Sequence, residues 1–136
     1  MLRNDIEEAI RQAPPEIQAD LRGQAADSVA FLSTHLAEDE TVTVLSSAAV
    51  RGSDNVPLNC ALALTNRRLI FVAPRPQAIA LRLQSITKFQ TSFGDPAYLF
   101  LNGDGREYSL GIPQSYRDEL AKLVHPAVAA AVIADA

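Results

Sequence analysis

Apolar positions recur along this chain with three different periods. Leu2, Ile6, Ala9, Ile10 and Ala13 repeat at helical spacing, with Asp5, Glu7, Glu8 and Arg11 on the opposite side. Pro14-Pro15 ends that segment and opens the next, because proline suits a first turn and not a helix interior. A second stripe of Ile17, Leu21, Ala25, Val29, Leu32 and Leu36 predicts one helix over about 16–36. Gly23 lies inside it and weakens it by about 1 kcal/mol relative to alanine, which predicts a slight kink. The first 38 residues therefore read as a helical hairpin whose apolar stripe must pack on something.

From about residue 40 the period shortens. "ETVTVLSSAAV", "LNCALALT", "RLIFVA", "AIALRL", "SITKFQTS", "AYLFL" and "REYSL" are each strand-length and apolar. Turn chemistry separates them at 52–55, Asn66-Arg67, 74–76, 94–96 and 102–105. Seven short strands with no helix between them predict an antiparallel meander closed into a sandwich or barrel. Helical character returns at the end. Pro113, with Ser115 and Asp118 as a capping box, opens a helix carrying Tyr116, Leu120, Leu123 and Val124 on one face. Pro126 is expected to break or kink it before the alanine-rich tail. The expected organisation is a helical extension over 1–38, a β-rich domain over 39–126 and a helical tail over 127–136.

The stretch "ALALTNRRLIFV" fixes a register. A two-residue turn at Asn66-Arg67 sets Leu64 opposite Leu69, Ala63 opposite Ile70, Leu62 opposite Phe71 and Ala61 opposite Val72. Strand alternation then gives two faces: Leu62, Leu64, Leu69 and Phe71 on one, Ala61, Ala63, Ile70 and Val72 on the other. Both are apolar, whereas an antiparallel sheet with one solvated face is polar there. The second face therefore calls for a lid. Ala61, Ala63, Ile70 and Val72, with Leu21 and Leu32 of the leading segment, are the candidate interface, either within the chain or between copies. Asn66 is expected to take the positive backbone angle of the tight turn.

With 136 residues the chain can bury a core of its own, and 48% apolar with 21% charged residues is ordinary for a globular protein. The single cysteine, Cys60, excludes an internal disulfide and fits a reducing compartment. "LRNDIEEAI" after Met1 shows no secretory pattern, and the longest apolar run, "AVAAAVIA", is too short for a span, so the expectation is cytoplasmic. Net charge is −4, distributed as −5 over 1–39, +2 over 40–112 and −1 over 113–136. That balance argues against a nucleic-acid binder, whose affinity comes from phosphate neutralisation.

No arrangement of reactive side chains stands out. His35 and His125 sit where helix ends are predicted, and a cation is favourable there. Cys60 has no histidine near it in sequence. Asp95 and Asp104 occupy turns that favour aspartate for backbone reasons. The "GDG" run lacks calcium-ligand spacing. The expectation is a non-enzymatic chain with no cofactor, no metal and no catalytic residue. Arg51, Arg67, Arg68 and Lys88 are the candidate ligand-binding residues, as a small basic patch for a phosphate or carboxylate; scattered solvated charge is the plain alternative.

The quoted residues also carry a resemblance. "LAEDETVTVLSSA", "LALTNRRLIFV", "AIALRLQSITKF", "YLFLNGDGREYSL" and a closing helix resemble a bacterial pleckstrin-homology-like (PH-like) domain of the YokE type. The shared features are the acidic "EDE" lead-in, a Leu-Thr-x-x-Arg-Leu-Ile-Phe hairpin and a later Ile-x-x-hydrophobic step, here Ile86 and Phe89, whose spacing fits a bulge. The likeness covers about 36–124. It implies an α+β fold: a bent seven-stranded antiparallel sheet or barrel capped by a C-terminal helix, here preceded by the helical hairpin. It also implies an interaction module, binding a protein partner or itself, with peripheral contact to anionic lipid as the alternative. Phosphoinositide-binding members resemble one another in a basic loop between the first two strands. In "VRGSDNVP" Arg51 is offset by Asp54 and no lysine is present, which weighs against inositol lipid.

Overall fold

The computed structural model describes residues 3–51, 57–73, 77–92, 97–112 and 117–135. The seven expected strands are present: β1 (Val42–Arg51), β2 (Pro57–Thr65), β3 (Arg68–Ala73), β4 (Gln77–Arg82), β5 (Ile86–Thr91), β6 (Ala97–Gly103) and β7 (Arg106–Ile112). They form one antiparallel sheet in the order β4-β3-β2-β1-β7-β6-β5. Among the described residues a single bridge, Ala49 to Gly111, joins its two halves, and a 3-10 turn, Leu83–Ser85, carries the chain from β4 to β5.

The register of β2 on β3 is the one deduced from the sequence, with Ala61 opposite Val72 and Leu64 opposite Leu69. The β5–β6 ladder shifts between Ile86 and Lys88, the bulge expected from the Ile-x-x-Phe step. The β6–β7 hairpin turns on Asp104 (φ 51°) and Gly105 (φ 77°), the two consecutive positive angles of a tight primed turn. At Asn66 the expectation fails: among the described non-glycine residues only Asp104 has positive φ. The Thr65 hydroxyl builds that corner instead, accepting from the backbone N–H of Arg67 (3.0 Å) and Arg68 (2.9 Å).

Each face of the central hairpin finds a different partner. Leu62, Leu64, Leu69 and Phe71 look into the space enclosed by the curled sheet, where Phe71 meets the Tyr108 ring of β7 edge-on at 5.4 Å. Ala61, Ala63, Ile70 and Val72 lie under the leading helices, α1 (Asn4–Gln12), α2 (Pro15–Arg22) and α3 (Ala26–His35). The register puts Ser47 on that same face, and its hydroxyl donates to Asp20 Oδ2 of α2 at 3.1 Å. The backbone N–H of Val42 donates to Asp5 Oδ2 of α1 at 2.8 Å. Ile6, Ile10, Ile17, Leu21 and Leu32 are all buried in the same core as the strand residues they cover.

Two helix expectations need correction. The segment over 16–36 is two helices, and Gly23 ends the first rather than kinking a continuous one. It sits at φ −113°, ψ −99°, and the N–H of Ala25 reaches back to the Asp20 carbonyl at 2.8 Å. A Cβ at Gly23 would lie 3.0 Å from the Ala19 carbonyl oxygen, so the break is built around the missing side chain. The closing helix, α4 (Arg117–Asp135), runs through Pro126 without a break, although proline removes one intrahelical donor there. The predicted cap at Pro113 and Ser115 lies outside the described residues. Helix α4 packs on the 3-10 turn and β5, with Val124 fully buried.

Candidate functional site

Asp39 and Glu40, from the acidic lead-in, meet Arg67 and Arg68, from the hairpin corner. Arg68 grips Glu40 with two donors, Nε to Oε2 at 2.9 Å and Nη2 to Oε1 at 2.6 Å. A paired geometry of this kind is the strong form of the ion pair. The Glu40 side chain is 1% exposed and that of Arg68 27%. Thr65 donates its hydroxyl to Glu40 Oε2 at 2.7 Å, and the Ala37 N–H donates to Oε1 at 3.1 Å. The buried carboxylate is therefore well satisfied. The Arg68 guanidinium beside it holds its pKa down to about 2, with the Thr65 and Ala37 donors adding to the effect against the opposing pull of burial. The same pair raises the pKa of Arg68.

Further bonds fasten the corner to the segment between α3 and β1. The N–H of Thr41 donates to Asn66 Oδ1 at 2.9 Å, and the N–H of Asn66 returns to the Thr41 carbonyl at 3.1 Å. Arg68 Nη2 also donates to the His35 carbonyl at 3.0 Å. Arg3 donates to the carbonyls of Ala37 (3.3 Å) and Glu40 from the other side. Arg67 is ion-paired with Asp39. The corner arginines thus grip carboxylates of their own chain.

Beside this clasp opens a cleft of about 710 Å³, bounded by the end of α3, the β2–β3 corner, the 3-10 turn and α4. Leu36, Leu83 and Ala131 supply apolar wall, and His35, Asn66 and Gln84 supply polar rim. Arg67, Arg68 and Arg82 supply three guanidiniums against the one carboxylate of Glu40. The Leu83 N–H donates to the Arg67 carbonyl at 3.0 Å, which brings the end of β4, and Arg82, alongside Arg67. Arg82 pairs loosely with Asp104 at 3.7 Å.

The four basic residues singled out from sequence do not share one surface. Arg67 and Arg68 line the cleft. Arg51 pairs with Pro57 at the opposite end of the β1–β2 ladder from Val42 and Thr65, roughly 30 Å away at strand spacing. Lys88 is on β5 and exposed, outside the cleft lining. Sequence reasoning did not select Glu40 as a site residue. The complementary pairing of "EDE" with "NRR" was the signal that could have found Glu40.

The remaining reactive side chains are placed plainly. Burial pushes the Cys60 thiol up to about 12. His35 is the last residue of α3 and stacks obliquely on Phe31. His125 is inside α4, not near its end, with its ring edge-on to Phe89 at 4.9 Å. Among the described residues there is no group of three or more His, Cys, Asp or Glu that could hold a metal ion. Among them, too, no helix is long and apolar enough to cross a membrane.

Among solved structures, a chain of the crystal structure of human RhoA in complex with the DH/PH fragment of PDZRhoGEF matches at TM-score 0.53 and 15% identity. The match covers 93% of this chain and 38% of that one. The fold is PH-like. A DUF1696-family protein with a pleckstrin-homology domain from Shewanella loihica matches at TM-score 0.46 and 15% identity, over 79% of this chain and 95% of that one. No family model matches the sequence, and neither does any curated protein. A PH-like fold leaves both the role and the ligand to be argued from the site.

Proposed function

We propose that this chain is a non-catalytic PH-like module, of the YokE type its hairpin signature resembles, that binds a protein partner or a second copy of itself. The binding element in this reading is the outer edge of β4. The strand order carries it: β4 ends the sheet, so one side of Gln77–Arg82 has no ladder partner among the described residues. The apolar stripes of the leading helices are not available for the same purpose, because Leu21 and Leu32 are buried in one core cluster with Ala61, Ala63, Ile70 and Val72.

Six residues of open main chain are enough to accept an extended segment by strand addition, where backbone hydrogen bonds supply affinity and alternate side chains supply selectivity. The sequence of β4, "QAIALR", has no proline and no lysine inside it, the residues that commonly blunt an edge. Ala80, opposite Ile70 of β3 and so on the same side of the sheet as the helices, is itself exposed at the outer strand.

Light scattering of the purified chain and hydrogen exchange with and without the bound partner test this reading. Slowed amide exchange over 77–82 on dimerisation or partner binding is expected. Ala80→Lys is expected to abolish that protection with an unchanged melting temperature. Protection falling on α4 or β6 while 77–82 stays unprotected would overturn the assignment.

A further inference from the structure

We infer that the cleft between the β2–β3 corner and α4 is a binding site for a phosphate monoester carried on an apolar stem, held by Arg67 and Arg82. It meets the edge of β4 only at Arg82, the last residue of that strand, and does not depend on a protein partner.

The inference rests on how differently the three cleft arginines are held. Arg68 is committed: two of its donors are spent on a carboxylate that is itself buried, and Nη2 also binds the His35 carbonyl. Its charge is cancelled in place. Among the described residues, the Arg67 and Arg82 side chains are held only by carboxylates open to water. Their side chains are 50% and 66% exposed, against 70% for Asp39 and 43% for Asp104. Exposed pairs of this kind contribute at most about 1 kcal/mol, so an incoming anion can displace either carboxylate at little loss. Arg68 and Glu40 then serve as the rigid wall against which the two exchangeable guanidiniums are presented.

The chemistry of the ligand follows from the lining. Guanidinium forks match the oxygens of a phosphate and bind it through paired hydrogen bonds. Asn66 and Gln84 add amide donors on the rim. Leu36, Leu83 and Ala131 offer an apolar wall that a bare anion would not use. A cleft of about 710 Å³ is within the range of small-molecule sites. The phosphate could come from a soluble metabolite-sized ester or from the headgroup of a phosphatidic-acid-type lipid, and the experiment separates the two sources.

The full chain is titrated at low salt with inorganic phosphate, with phenyl phosphate and with vesicles of phosphatidylcholine containing phosphatidic acid. Chemical shifts are followed by NMR and vesicle binding by sedimentation. Saturable binding of phenyl phosphate, tighter than inorganic phosphate, is expected, with shifts centred on the Asn66 and Gln84 amides. Arg67→Gln and Arg82→Gln should each weaken it about tenfold. Asp104→Asn, which keeps a residue type tolerant of positive φ while releasing Arg82, should strengthen it about threefold. Vesicle binding lost in Arg67→Gln identifies the lipid source; phenyl phosphate binding without vesicle binding identifies the soluble one. The inference is overturned if none of the three probes saturates below about 10 mM, a Kd too weak for a built site. It is equally overturned if the Arg67→Gln/Arg82→Gln double variant, folded by circular dichroism, binds as the parent does. A folded Asp104→Asn chain with no gain in affinity would count against the displaceable-pair geometry itself.

Discussion

Replacing Glu40 with glutamine removes one charge from the clasp and keeps its shape. In the folded chain the Glu40 carboxyl titrates at about 2, against 4.5 for an ordinary glutamate. That difference corresponds to about 3 kcal/mol at about 1.4 kcal/mol per pH unit. Its sign follows from proton counting. The folded state binds its proton only at lower pH than the unfolded state does, so the stabilisation is complete above about pH 4.5 and is lost as pH falls towards 2. Ala37 and Thr65 donate to different oxygens of Glu40, so the glutamine variant, with one acceptor oxygen, keeps only one of those bonds and turns a neutral amide towards Arg68. Because Arg68 keeps partial access to water, the penalty should be smaller than the 3–5 kcal/mol of a fully buried broken pair, about 2–3 kcal/mol at neutral pH. At about 2.1 cal/mol/K per residue of unfolding entropy, that is a drop of roughly 7–10 °C in Tm.

Urea unfolding of wild type and Glu40→Gln between pH 7 and pH 2 checks both magnitude and sign. The two stabilities should converge as the pH approaches 2, because wild type then carries a neutral carboxyl as well. The reciprocal variant Arg68→Met and the double variant close a thermodynamic cycle, with a coupling of at least about 1 kcal/mol expected for residues in direct contact. Parallel pH curves, or a Glu40→Gln chain within about 0.5 kcal/mol of wild type at pH 7, would refute the assignment of Glu40 as a stabilising buried carboxylate.

Deleting residues 1–36 should cause aggregation or a lower Tm, because Ala61, Ala63, Ile70 and Val72 would lose their cover; a monomeric truncation melting like the full chain would contradict this. Leu32→Ala should destabilise by about 2–5 kcal/mol in chemical unfolding, as expected for a fully buried leucine. Ser28→Ala should leave stability unchanged or raise it by about 1 kcal/mol, since the Ser28 hydroxyl is buried without a hydrogen-bond partner among the described residues. Cys60 should react with a thiol reagent at pH 8 only as fast as the chain opens, because burial keeps its thiol protonated; rapid native-state labelling would show the strand to be open.

The sheet was legible because its signals are local. Alternation within "ALALTNRRLIFV" and a two-residue corner fix one register, and slipping by one residue would exchange the faces of Leu62 and Ala63. The lid was legible as a surplus, since two apolar faces on one hairpin need two partners. What sequence reasoning missed depends on tertiary balance. A glycine penalty of about 1 kcal/mol suggested a kink at Gly23, yet α2 is tied to β1 through Asp20 and Ser47 while α3 lies over β2 and β3. The chain must turn between them. The turn is made where a side chain would press on the Ala19 carbonyl. Pro126 was misjudged in the opposite direction. One lost donor and one crowded carbonyl were weighed without the packing of α4 on the 3-10 turn and β5, which favours a continuous helix.

The cleft was the least legible feature, and the reason bears on how the module is built. Its lining joins the end of α3, the lead-in to β1, the β2–β3 corner, the turn after β4 and α4. No local pattern spans such distances, but charge complementarity does: Asp39 and Glu40 face Arg67 and Arg68. The acidic lead-in and the arginine corner, two separate motifs in sequence, are the halves of one clasp. Each half has a saturated member, Glu40 buried and Arg68 partly so, and an exposed, replaceable one. Glu40 with Arg68 fastens the helical layer to the hairpin, and Asp39 with Arg67 sits in water beside it. One residue of each pair of neighbours thus serves stability, and the next is left free to exchange partners. If that division holds, neutralising Asp39 should leave the melting temperature almost unmoved, whereas neutralising Glu40, one position away, should lower it by several degrees.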